Sequence, residues 1–195
     1  MFARREAVRL GEVTESLFSR ALSMFHANDR SQIVNLIDSD REINSRNRAI
    51  HTFLSEARRH IESPEQEMAL DRILHFSTTM ENIGDIIAHN LSRLAIKRLD
   101  RGVKFSNDGL EEIERIHSKI RALLELEINR FLSDDTHSLP LAEQYRLEIK
   151  DLCNQSIRHH RRRLSDRKNA SIGTSSIHQD MIRDFSQIAN LLEPA

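Results

Sequence analysis

An all-α fold is what the sequence predicts, and three observations predict it. Only five glycines and three prolines punctuate 195 residues, so turns are few and the elements between them long. Apolar residues recur at three- to five-residue spacing along each stretch, the period of a helix face rather than of a strand. Sandwiches and barrels need a turn signal roughly every 8–12 residues, and none are so spaced here.

Composition narrows the class further. With 38% hydrophobic residues the chain can bury a core, while 29 Lys+Arg against 30 Asp+Glu give a net charge of −1. A general nucleic-acid binder would carry a strong basic excess, so no nucleic-acid partner is expected. Cys153 is the single cysteine, which excludes an internal disulfide and zinc-finger spacing and suits a reducing compartment. No apolar run approaches the ~18–20 residues of a membrane span, and Met1–Leu10 is too polar for a secretory signal, so a soluble chain is expected.

Six helices follow in order. The first runs from about Arg4 to His26 on Val8, Val13, Leu17 and Ala21 and stops near Asn28-Asp29. A second carries Ile33, Leu36, Ile37, Ile43, Ile50, Phe53 and Leu54 to about Ile61. Ser63-Pro64-Glu65-Gln66 starts the third, with Ser63 as N-cap, Pro64 in the first turn and Gln66 closing a capping box. Apart from Gly84 nothing breaks it before Arg101-Gly102, which allows a helix of ~36 residues and ~54 Å. Ser106-Asn107-Asp108 caps a fourth, from about Gly109 to Leu132, and Ser133–Pro140 is a turn. The fifth spans about Leu141 to Asp166, Asn169–Gly173 interrupts, and the sixth spans Thr174 to Leu192. Short connections make such helices pack largely antiparallel.

The breaks divide the chain into two similar halves, residues 1–102 and 103–195. Ser19-Arg-Ala-Leu22 is echoed by Ile120-Arg-Ala-Leu123, and the closing helix of each half carries two acids four apart, Glu81/Asp85 and Asp180/Asp184. The echo is short, and a duplicated three-helix unit is the expectation it supports. Five acidic i,i+4 pairs occur in all, about the number random placement gives, so context must select among them. Asp38/Glu42 and Asp108/Glu112 have basic or helix-start surroundings that suit a solvated role. Glu81/Asp85 lies between Met80, Ile83, Ile86 and Ile87, and Asp180/Asp184 between Ile177, Met181, Phe185 and Ile188. Like charges at this spacing destabilise a helix by a few tenths of a kcal/mol unless a cation lies between them.

Met80-Glu-Asn-Ile-Gly-Asp-Ile-Ile87 resembles the E-x-x-x-D helix of PhoU-like domains. Ser175–Asp184, with Ile188 and Asn190, is similar to the last helix of the PhoU-like domain of bacterial sodium/phosphate cotransporters. So are Arg4-Arg-Glu-Ala, Val103–Ser106, Gly109-Leu-Glu111 and His160-x-x-Arg163-Leu164. The resemblance implies two tandem three-helix bundles serving as a cytosolic regulatory domain of a sodium-dependent phosphate transporter, or as a free-standing regulator of phosphate uptake. It implies a membrane-embedded transporter domain as partner, in the same or a separate chain, and a place at the cytoplasmic face of the bacterial inner membrane. It further implies metal ions, iron or zinc, on Glu81, Asp85, Asp180 and Asp184, and carboxylate oxygens by their chemistry also suit Mn or Mg there. Departures from the family pattern are His89 four residues after Asp85, Asp180 in place of Glu, and Ile188 four after Asp184.

His89 stands at i+8 from Glu81 and i+4 from Asp85, a spacing that suits a shared ligand face. His75 and His178 align with no neighbouring acids. The run Arg158–Arg163, continued by Arg167-Lys168, reads as a solvated helix face whose stems cover apolar neighbours, with anion or lipid contact as the alternative. Only 5% aromatic residues are available to seal long aliphatic faces, which predicts a homodimer. No phosphate loop, nucleophile elbow or metalloprotease motif occurs, so no enzyme is expected. The alternative function is a helical-bundle catalyst using metal on the paired carboxylates.

Overall fold

A computed structural model describes residues 2–27, 29–38, 40–165 and 174–193, with the side chains of 32, 35–37 and 160–165 excepted. Among the described residues every regular element is helical and no strand occurs. The helices are α1 (Phe2–Ala21), α2 (Ser23–His26), α3 (Arg30–Ile37), α4 (Asp40–Ala57), α5 (Pro64–Asp85), α6 (Ser92–Asp100), α7 (Asn107–Ser133), α8 (Leu139–Ser165) and α9 (Ser175–Leu191). A π-helical turn, Ile86–Leu91, joins α5 to α6 without a break.

The caps expected from the sequence are in place. The Gln66 N–H donates to the Ser63 hydroxyl at 3.3 Å, and the Gln66 side-chain oxygen accepts from the Glu62 N–H at 2.9 Å, closing the box around Pro64. Ser106 Oγ accepts from the Gly109 N–H at 3.2 Å and starts α7. Two expected helices are each divided. A turn at Leu22 sets α2 off from α1, and the single helix expected across 33–61 is α3 followed by α4. The break falls at Asp38–Asp40, where cap-forming residue types compete with the helix for backbone N–H groups. The interruption expected at Asn169–Gly173 lies outside the described residues.

Two sets of three long helices pack mutually: α1, α4 and α5, and then α7, α8 and α9. They meet where α1 lies on α7 and where α9 lies along α5, the π turn and α6. One continuous core runs through both sets, from Leu10, Leu17 and Phe18 of α1 through Ile83 and Ile87 to Ile120, Leu123, Met181 and Phe185. Each such side chain contributes about 1.5–3 kcal/mol by leaving water. At the centre of the seam the buried His117 ring stacks on Phe18 with centroids 4.5 Å apart, and its Nε2–H donates to the Phe18 carbonyl at 2.8 Å. Burial holds the His117 pKa below the ordinary value. No described helix is long and apolar enough to cross a membrane.

Candidate metal centre

The first acidic pair sits where α5 gives way to the π turn. The Ser92 N–H there bonds to the Ile87 carbonyl five residues back, so one extra residue is accommodated and the faces beyond it rotate relative to α5. His89 remains beside the acid before it, with Nε2 at 3.6 Å from Asp85 Oδ1. Opposite them stands Asp40, the first residue of α4, which is buried. Gly84 makes that approach possible: a Cβ there would lie 3.0 Å from Asp40 Oδ1 and 3.0 Å from Ile43 Cδ1.

Asp40, Asp85 and His89 thus bring one ligand atom each within 4.8 Å of one another, the one such group of three among the described residues. Asp40 Oδ2 accepts a hydrogen bond from Asn44 Nδ2 at 2.6 Å, while Oδ1 is buried without a hydrogen-bond partner. Burial and the neighbouring Asp85 charge raise the Asp40 pKa. Glu81 is raised in the same way, by burial and by Asp85 and Asp40, with His51 opposing. Two carboxylates and an imidazole, one carboxylate with a buried oxygen that has no hydrogen-bond partner, are a donor set that suits a divalent transition metal, and Glu81 adds a further carboxylate within electrostatic reach.

The second pair has a different environment. Asp180 lies 3.2 Å from Arg183 Nη1 and 4.0 Å from Lys97 Nζ, so cations already neighbour it. Asp184 is buried, accepts a long 3.5 Å hydrogen bond from Asn90 Nδ2, and lies 3.7 Å from Arg183 Nε. Burial raises its pKa although Arg183 and Arg93 oppose that. Between the closing helices lies an open depression lined by Asp85, His89 and Asn90 on one side and Gln187 and Leu191 on the other. The structure therefore gathers Asp85 and His89 with Asp40, keeps Glu81 beside them, and sets Asp180 and Asp184 apart, among basic side chains.

Sequence reasoning missed Asp40 because it placed that residue inside an unbroken helix. The signal was the run Asp38-Ser-Asp40 with Asn44 one turn later. Glu112 corrects a second expectation. Far from solvated, it is buried, accepts from Ser156 Oγ at 2.7 Å, and lies 3.3 Å from His159 Nδ1 and 3.4 Å from His178 Nε2. Of the basic run, Arg158 is exposed 3.9 Å from Asp151, His159 faces Glu112, and the side chains of 160–165 and residues 167–168 lie outside the described residues.

Residues 7–94, a little under half of the chain, match the PhoU domain family. Over 191 residues the chain is 26% identical to the "Putative inorganic phosphate export protein YjbB" of Escherichia coli and 25% identical to its namesake in Salmonella typhimurium. Each match covers 97% of this chain and 35% of the relative, so the chain spans about a third of the length of the curated relatives it matches. In solved structures the fold is that of PhoU from Pseudomonas aeruginosa (TM-score 0.77, 17% identity, 97% of this chain and 93% of that one). PhoU from Streptococcus pneumoniae, the phosphate transport system regulatory protein, shares it as well (TM-score 0.74, 14% identity, 97% and 91%).

Proposed function

We propose that this chain is a non-catalytic regulatory domain acting on a phosphate-transport protein at the cytoplasmic face of the bacterial inner membrane. Its two repeats, 1–102 and 103–195, act as one unit on a membrane-embedded transporter domain in the same or a separate chain. The names of the similar full-length proteins speak of phosphate export, so export replaces the uptake expected from the sequence as the direction we favour. Metal occupancy is the regulatory variable in this reading. Asp40, Asp85 and His89 would hold the ion with Glu81 beside them, and Asp180 and Asp184 would supply a second, cation-buffered arm. Bound metal would supply positive charge that pins the start of α4 to the end of α5.

The observation that carries this reading is the convergence of Asp40, Asp85 and His89 within 4.8 Å, with one Asp40 carboxylate oxygen buried and without a hydrogen-bond partner. The test is phosphate flux in bacterial cells that co-express the chain with a YjbB-type transport protein. Asp40→Asn/Asp85→Asn should change the rate of radiolabelled phosphate release at equal protein levels. Release that is the same with wild type, with the double variant and without the chain removes the regulatory role.

A further inference from the structure

The end of the bundle remote from the acidic cluster has properties that the metal centre does not explain. Helix directions bring the start of α1, the end of α4, the start of α5, the end of α7 and the start of α8 together there. Arg4 and Arg72 both reach Asp134, at 2.6 and 2.8 Å, and Phe2 packs on Phe53 with ring centroids 5.5 Å apart. Among the described residues seven large apolar side chains are exposed, and five of them, Phe2, Phe53, Met68, Leu132 and Leu141, belong to this end. Met68 lies one helical turn before Arg72 on the same face, and Leu132 two residues before Asp134. Phe2 is 56% exposed and Met68 65%, well beyond what solvation favours for such side chains.

A cavity of about 320 Å³ opens on the same end. Phe76 and Phe131, stacked at 3.9 Å, line it together with Met80, Leu139, Arg72 and Asp134. Exposed apolar side chains around a preformed apolar cavity are the arrangement that receives the apolar face of a helix.

Charge decides what kind of helix. Most basic residues at this end are spoken for: Arg4 and Arg72 by Asp134, Arg58 by Asp71 and Arg59 by Glu56. Glu62, Glu65, Glu67 and Glu193 are exposed there, and among the described residues none of them enters an ion pair, against Arg5 as the unpaired cation. An unpaired acidic surplus repels anionic lipid and attracts a basic partner.

We infer that this end docks a basic amphipathic helix of a partner protein. The inference rests on the regulatory reading for its biological setting, since cytoplasmic segments of membrane proteins are enriched in Lys and Arg. Its physical content does not depend on metal.

The test uses the full chain in metal-free buffer and a fluorescent 18-residue model helix with Leu along one face and Lys on the other. A second helix carries Glu in place of Lys. Anisotropy should show binding of the Lys helix, at least tenfold weaker with Phe2→Ser/Met68→Ser and with Glu62→Lys/Glu67→Lys. Val34→Ser/Leu147→Ser, at exposed positions away from this end, should bind as wild type does. Equal binding of the Lys and Glu helices, or equal affinity in all variants, overturns the inference. Phosphatidylglycerol vesicles captured through Phe2 and Met68 assign the surface to lipid and overturn it too, as does a dimer abolished by the same pair in sedimentation. Loss of helix binding leaves the metal centre standing, and a failed metal titration leaves this surface standing.

Discussion

Asp40 bears most of the site's electrostatic strain, because one of its oxygens is buried without a donor and a second carboxylate lies opposite. Removing its charge relieves repulsion when no metal is present and removes a ligand when metal is. Asp40→Asn should therefore stabilise the metal-free chain at neutral pH by on the order of 1 kcal/mol while abolishing any stabilisation by metal. Chemical denaturation with and without chelator reads both effects, and a variant less stable than wild type in chelator would show that the carboxylate is structural instead. Gly84 is its counterpart on α5. Gly84→Ala puts a methyl group 3.0 Å from Asp40 Oδ1 and Ile43 Cδ1, and should cost about 1–3 kcal/mol and displace Asp40. Unchanged stability with unchanged metal affinity would mean that α4 yields freely at this contact.

At the scale of elements, the boundaries that depend on local chemistry were legible and those that depend on packing were not. Ser63-Pro64 and Ser106 announce their helices because a side-chain oxygen meets an otherwise unpaired N–H a few residues on, a contact wholly within the local sequence. The π turn at Ile86–Leu91 has no such mark. Its composition is ordinary for a helix, and the wider turn comes with packing against α3 and α9. The same blindness hid Asp40, which joins the site only through the break between α3 and α4, and Glu112, which α8 and α9 cover from far along the chain. The π turn supports a prediction of its own. Deleting Ala88 should let the wide turn close to an ordinary α-helical one, so that α6 keeps its faces. The buried Leu91, Leu94 and Ala95 should stay in the core, with a loss of at most about 2 kcal/mol in denaturant unfolding. A loss well beyond that would show that the wide turn itself is needed for packing.

For the whole molecule, the two three-helix sets are fused through one core, so strain at the seam is felt by both. His117 lies in that seam between Phe18 and Phe185, and burial keeps its folded pKa below the ordinary value of 6.5. The folded state thus binds fewer protons at this position than the unfolded state. The contribution of neutral His117 is complete above about pH 6.5 and is lost as the pH falls through the depressed folded value. His117→Gln, which keeps a donor for the Phe18 carbonyl, should flatten the acid side of the stability profile. Identical profiles for the two proteins between pH 7 and roughly pH 5 would place the acid sensitivity elsewhere.

Thermal melting with added metal decides whether the acidic cluster on α4, α5 and the π turn is a metal centre. Wild type, Asp40→Asn/Asp85→Asn and Asp180→Asn/Asp184→Asn are melted in chelator and then in Mn²⁺, Fe²⁺ or Zn²⁺. At about a hundred times the dissociation constant, binding is worth roughly 2.7 kcal/mol, or about 5–10 °C for a chain of this size. That rise is expected for wild type, none for the Asp40/Asp85 variant, and a rise retained at least in part for the Asp180/Asp184 variant. A wild-type midpoint unmoved by every metal, or raised equally in the Asp40/Asp85 variant, would contradict it.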